Sequence, residues 1–111
     1  MDDDYVEAVL DVVESIPAGR AMTYGTIADV VSDRFEAAGH PRRGGPRQVG
    51  QVLALAGSGV PWWRVVNASG APPPRHLARA LEMLAGESTP RSADGQRVRL
   101  RQAIWFPDEF E

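Results

Sequence analysis

Thr23-Tyr24-Gly25-Thr26-Ile27-Ala28-Asp29-Val30-Val31-Ser32-Asp33-Arg34-Phe35 is the stretch on which the fold turns. Thr23 is a good N-cap, because its hydroxyl can accept a hydrogen bond from a free N–H of the first helical turn. Ile27, Val30 and Val31 recur at helical spacing, so a helix with one apolar side is expected from Tyr24 to about Phe35. Gly39-His40-Pro41-Arg42-Arg43-Gly44-Gly45-Pro46 follows. Its glycines and prolines do not support a helix, and it reads as a mobile basic loop. A second, shorter helix is expected from Arg47 to Ala56, with Val49, Val52 and Leu53 inward, stopped by Gly57-Ser58-Gly59. A helix, a turn and a short helix with basic residues at its start is the outline of a helix-turn-helix. Many small helical domains share that outline, and alone it identifies no function.

Toward the N-terminus, Val6, Val9, Leu10, Val13 and Ile16 predict an amphipathic helix from Asp4 to Ile16, broken by Pro17-Ala18-Gly19-Arg20. Toward the C-terminus, Asn67 to Pro74 is a turn-rich loop with three consecutive prolines. A fourth helix is expected from Arg75 to Ala85 on Leu77, Leu81 and Leu84. Arg97 to Leu100 alternates weakly, as a short strand or wing would. Trp105-Phe106-Pro107 should dock the tail on the core, with the final acids, residues 108–111, solvated. No repeat, linker or low-complexity block divides the chain, so one domain over residues 1–111 is expected. The fold class is mainly α, a winged-helix-like helix-turn-helix domain with at most a short β element.

Composition narrows the chemistry. There is no cysteine, which excludes disulfides, thiolate catalysis and cysteine metal sites. The two histidines, His40 and His76, lie far apart with no carboxylate or serine at motif spacing, so no metal site, cofactor or hydrolytic centre is expected. No apolar run approaches the roughly 18 residues of a membrane span, and the acidic start is unlike a secretory signal. A soluble cytoplasmic protein is expected. The formal charge is -3, yet it is unevenly spread. Six acids and no bases fall in residues 2–14, whereas residues 15–107 hold all twelve arginines against six acids. A basic centre between acidic ends suits an anionic partner.

Pro61-Trp62-Trp63-Arg64-Val65-Val66 is the other informative stretch. Pro61 restricts Val60 to extended geometry. If the segment stays extended, Trp62 and Trp63 point to opposite faces, one free to line a cavity while the other joins the core. Both could equally be core aromatics.

Four motifs occur in order: Ile16-Pro17-Ala18-Gly19-Arg20, Thr23-Tyr24-Gly25-Thr26-Ile27-Ala28, Arg47-Gln48-Val49-Gly50 and Val60-Pro61-Trp62-Trp63-Arg64-Val65-Val66. Together they resemble the DNA-binding domain of the O6-alkylguanine-DNA alkyltransferases, from about residue 5 to residue 106. The family's active-site motif is proline, cysteine, histidine, arginine, valine. Tryptophan at the cysteine position resembles the alkyltransferase-like proteins, non-enzymatic relatives that bind alkylated guanine in DNA. The resemblance implies a lesion pocket formed by Trp62, Arg75, Tyr24, Pro61 and Val65. In it Tyr24 presses on the target phosphate, and Arg75, thirteen residues after Trp62, packs over the flipped base. It implies DNA contacts from Tyr24, Arg47, Gln48 and Gly50, with Arg47 as the finger that fills the gap in the base stack. Trp63, Arg64 and Glu87 would support the pocket.

This sequence departs from the family in four places: at Trp63, at Ala56, where the enzymes have an asparagine nearby, at the prolines near the place of the lid tyrosine, and in the length of one segment. Trp63 stands where a histidine is usual, and an indole has one N–H donor and no acceptor, so no proton relay can run through it. Trp63 is expected to be buried, with its N–H reaching Glu87 or a backbone carbonyl. The segment between Ala28 and Arg47 is also longer than usual, and its Arg42 and Arg43 are expected to contact phosphates. The implied partners are double-stranded DNA containing alkylated guanine and proteins of nucleotide-excision repair, with the chain monomeric and off the membrane. A helix-turn-helix transcription regulator without lesion specificity is the alternative.

Overall fold

The computed structural model describes residues 2–107. The expected solvation of the final acids lies outside the described residues. The first helix, α1 (Asp3–Ser15), starts at Asp2, whose carboxylate accepts the Asp4 N–H at 2.9 Å. Its valines at 9, 12 and 13 are fully buried. A turn through Gly19, at φ +85°, leads to β1 (Met22–Thr23). Thr23 then caps α2 (Tyr24–Ala37) as expected: its hydroxyl accepts the Thr26 N–H, and Thr26 Oγ1 accepts the Thr23 N–H, both at 3.0 Å. After an irregular loop comes α3 (Pro46–Ala56), with proline at its first position, where no N–H is needed. The mutual packing of α1, α2 and α3 makes the main core, in which Val31, Val49 and Val52 are fully buried. Burial of each such side chain contributes roughly 1.5–3 kcal/mol. An exposed ion pair contributes about 0–1 kcal/mol, so this core, not surface charge, carries the fold.

Two short 3-10 turns, Gly57–Gly59 and Trp62–Arg64, connect α3 to β2 (Val65–Val66). β2 pairs in parallel with β1, Met22 opposite Val65 and Thr23 opposite Val66. A third 3-10 turn, Pro74–His76, precedes α4 (Leu77–Gly86), and α5 (Leu100–Ala103) closes the described chain. Ala21, Val66, Leu84, Val98 and Ala103 form a second core, with Trp63 packed against it. Trp105 packs on the main core, as expected of the tail, and its backbone N–H donates to the Ala21 carbonyl, while Phe106 remains exposed. No helix among the described residues is long and apolar enough to cross a membrane.

Three local expectations are corrected. Val60 is extended as Pro61 requires, but Trp62–Arg64 turns back as a 3-10 helix, so the two tryptophans do not alternate across a strand. The strand or wing at Arg97–Leu100 is reduced to one antiparallel bridge, Val98 to Arg91, and Leu100 already begins α5. The fourth α-helix begins at Leu77, because the proline run closes a 3-10 turn over Arg75 first.

Candidate nucleic-acid interface

The start of α2, the outer side of α3 and the segment before α4 enclose a cavity of about 310 Å³. Tyr24 comes from the first position of α2, where the Thr23 cap holds it. Gly50, Leu53 and Ala54 come from α3, Gly57 and Ser58 from the turn that ends it, and Trp62 from the next turn. Pro73, Arg75 and His76 complete the rim. Burial pushes the Tyr24 phenol above its ordinary value, so it stays a neutral hydroxyl at physiological pH. Gly50 faces Tyr24, where a Cβ would sit 3.9 Å from Cε1, in ordinary contact with the ring. Trp62 is wedged between two rings. Trp63 meets it edge-on with centroids 5.8 Å apart, and His76 tilts against it at 5.6 Å.

Beneath this, Arg64 fixes the turn that carries both tryptophans. Its Nε donates to Glu87 Oε1 at 3.0 Å, Nη2 to Oε2 at 2.5 Å, and Nη1 to the Ile16 carbonyl at 2.7 Å. The pair is largely buried, and the guanidinium also lies over the Trp63 ring. Burial alone would raise the Glu87 carboxyl, but the Arg64 hydrogen bonds, the nearby Trp63 N–H and the Gly19 N–H together hold it below its usual range. Contrary to expectation, the Trp63 indole N–H lies near Glu87 but meets no acceptor at hydrogen-bond geometry among the described residues. Trp63 itself is half-buried.

The structure thus brings Tyr24, Gly50, Trp62 and Arg75 around one cavity. Arg47 and Gln48 lie exposed in the first turn of α3. Arg47 makes no ion pair among the described residues and sits where the helix dipole disfavours a cation. Two of the expected pocket residues are elsewhere. Val65 is fully buried opposite Met22 in the sheet, and Pro61 is buried under the turn it starts. Backbone pairing turns Val65 into the main core, away from the cavity.

Arg42 and Arg43 are also engaged otherwise than expected. Arg42 pairs with Asp33 and Glu36. Arg43 pairs with Asp2 at 2.7 Å and lies 4.6 Å over the Phe35 ring, while its carbonyl accepts the Ser32 hydroxyl. The loop is irregular, but these contacts tie it to α1 and α2. A second cavity, about 450 Å³, lies there, lined in part by Asp4, Phe35, His40 and Arg43.

Sequence reasoning missed His76, Ser58, Leu53 and Pro73 at the cavity. For His76 the usable signal was its place beside Arg75 after three prolines, a rigid lead-in.

Residues 4–89 match the family described as 6-O-methylguanine DNA methyltransferase, DNA binding domain. The chain is 34% identical over 109 residues to a DNA base-flipping protein of Vibrio parahaemolyticus, covering 95% of this chain and 99% of that one. It is 35% identical over 108 residues to the DNA base-flipping protein of Escherichia coli K12, covering 94% of this chain and 76% of that one. Among solved structures, that of S. pombe Atl1 in complex with damaged DNA containing O6-carboxymethylguanine matches with a TM-score of 0.72 at 30% identity, over 96% of this chain and 99% of that chain.

Proposed function

The chain belongs to the 6-O-methylguanine DNA methyltransferase DNA-binding-domain family as an alkyltransferase-like protein, and we propose that it binds O6-alkylguanine in duplex DNA by rotating the nucleotide into the cavity beside Trp62, without alkyl transfer. The observation that carries the reading is Trp62 in the wall of a cavity shared with Tyr24 and Arg75, in a chain without cysteine. An indole offers the alkyl carbon a surface and no nucleophile.

The other roles follow from position. Tyr24, a neutral phenol at the cavity mouth, bears on the target phosphate. Arg47, exposed at the start of α3, enters the vacated stack, where a guanidinium can stack and donate hydrogen bonds. Arg75 covers the base. Taking a base out of the stack costs a few kcal/mol, least where pairing is already damaged. Burying a methyl against Trp62 gains roughly 0.8 kcal/mol, or about fourfold in affinity. Discrimination much beyond fourfold therefore comes from the weaker pairing of the lesion, not from the pocket wall. Held without reaction, the swung-out base is a persistent distortion, suited to hand-over to nucleotide-excision repair.

The test is binding to two duplexes, guanine and O6-methylguanine at one position, at equal salt, with the intact protein mass recorded after incubation. Preferred binding of the lesion with no methyl gained by the protein supports the reading. Equal binding of both duplexes, or tight binding to one unmodified sequence, would favour a transcription regulator instead.

A further inference from the structure

We propose that His76 makes this cavity selective for O6-substituents that end in an anion, such as carboxymethyl; this deepens the reading above and rests on it. Among the described residues the cavity wall contains no carboxylate, while Arg75, His76 and Ser58 all offer donors. The position of His76 is the deciding feature. Its ring centroid lies 5.6 Å from that of Trp62, tilted by 59°. A one-carbon substituent laid on the indole therefore presents its terminal group to the imidazole. Neutral imidazole has one N–H and the protonated ring two, so a donor is present in either state.

The backbone that carries that donor is held in place before anything binds. Pro72 is buried, Pro73 and Pro74 follow with their φ fixed by their rings, and the His76 backbone N–H closes the turn on the Pro73 carbonyl at 3.2 Å. Little conformational freedom remains to be lost on binding. In the free protein Arg75 and His76 are exposed and solvated. A purine over the cavity strips that water, and a neutral alkyl group returns nothing to the donors, which then stand unpaired. A carboxylate satisfies them with charge-assisted hydrogen bonds.

The experiment measures affinity for four duplexes of one sequence at constant salt, carrying guanine, O6-methylguanine, O6-carboxymethylguanine and its neutral isostere O6-carbamoylmethylguanine. The wild-type protein should prefer carboxymethyl to carbamoylmethyl by roughly tenfold, the size of one hydrogen bond to a charged group. His76→Phe, which keeps a ring against Trp62 and removes the donor, should lower that ratio several-fold, to what Arg75 and Ser58 still supply. His76→Gln, which restores an N–H, should recover part of it. A wild-type ratio near one, or a ratio that His76→Phe leaves intact, overturns the proposal. If O6-methylguanine binds no better than guanine, the flipping reading falls and this proposal falls with it. If the methyl preference stands while the two larger adducts bind equally, only the anion selectivity falls.

Discussion

Replacing Glu87 by alanine should destabilise the protein and loosen the lesion cavity together, because Glu87 anchors the turn that carries Trp62. Glu87 receives two hydrogen bonds from Arg64, and the two side chains keep only 14% and 16% of their surface. Removing one partner of a buried pair costs about 3–5 kcal/mol, because the other charge is left without compensation. The residual exposure and the Ile16 carbonyl, which still holds Arg64 Nη1, place this case lower, at about 2–3 kcal/mol. For a domain of this size that corresponds to roughly 8–12 °C in melting temperature.

The pH dependence has a definite sign. Hydrogen bonding holds the folded carboxyl below its ordinary value of 4.5, against the effect of burial. The stabilisation is therefore complete above that value and disappears as pH falls through the lower, folded-state value. Thermal melts of wild type and Glu87→Gln from neutral to strongly acidic pH should show a gap that is constant near neutrality and closes in acid. Binding of O6-methylguanine duplex at neutral pH should weaken in parallel. A Glu87→Ala melt indistinguishable from wild type at pH 7, or a gap that persists unchanged in acid, would refute this account of the turn.

Three other substitutions probe separate parts of the frame. Gly44→Ala places a Cβ 2.2 Å from the buried Tyr5 hydroxyl at φ +78°, and should cost at least the roughly 1–3 kcal/mol of an overpacked site in a denaturant titration. Gly50→Ala meets nothing nearer than 3.9 Å and should stabilise α3 by about 0.5–1 kcal/mol, whereas Gly50→Leu, comparably folded by circular dichroism, should fill the cavity and abolish lesion preference. Arg47→Ala, exposed in the first turn of α3, should leave the melting temperature nearly unchanged, yet lower DNA affinity and reduce the log-log salt slope by about one.

Where local chemistry decides structure, the residues could be read directly. The period of α1, the Thr23 cap, the break at Pro17–Arg20 and the stop at Gly57 each depend on neighbours within a few positions. Three of the ordered motifs supply Tyr24, Gly50 and Trp62, which line one cavity with Arg75 from outside them. What failed depends on partners distant in the chain. Val65 is drawn inward by pairing with Met22, and the 3-10 turn at Trp62–Arg64 is tied down by Glu87 and Ile16. Arg42 and Arg43 looked available because sequence order hides Asp33, Glu36 and Asp2, which only the folded loop brings beside them. His76 looked isolated for the same reason: its partner is an indole fourteen positions earlier, across the cavity.

The most direct test of the central claim is the affinity ratio between O6-methylguanine and guanine duplexes for Trp62→Ala against wild type, at one salt concentration. If the indole is the wall on which the alkylated base rests, wild type prefers the lesion and the mutant's preference falls by about fourfold, the worth of the methyl contact, while its affinity for undamaged duplex is kept. A mutant that discriminates as well as wild type would contradict it.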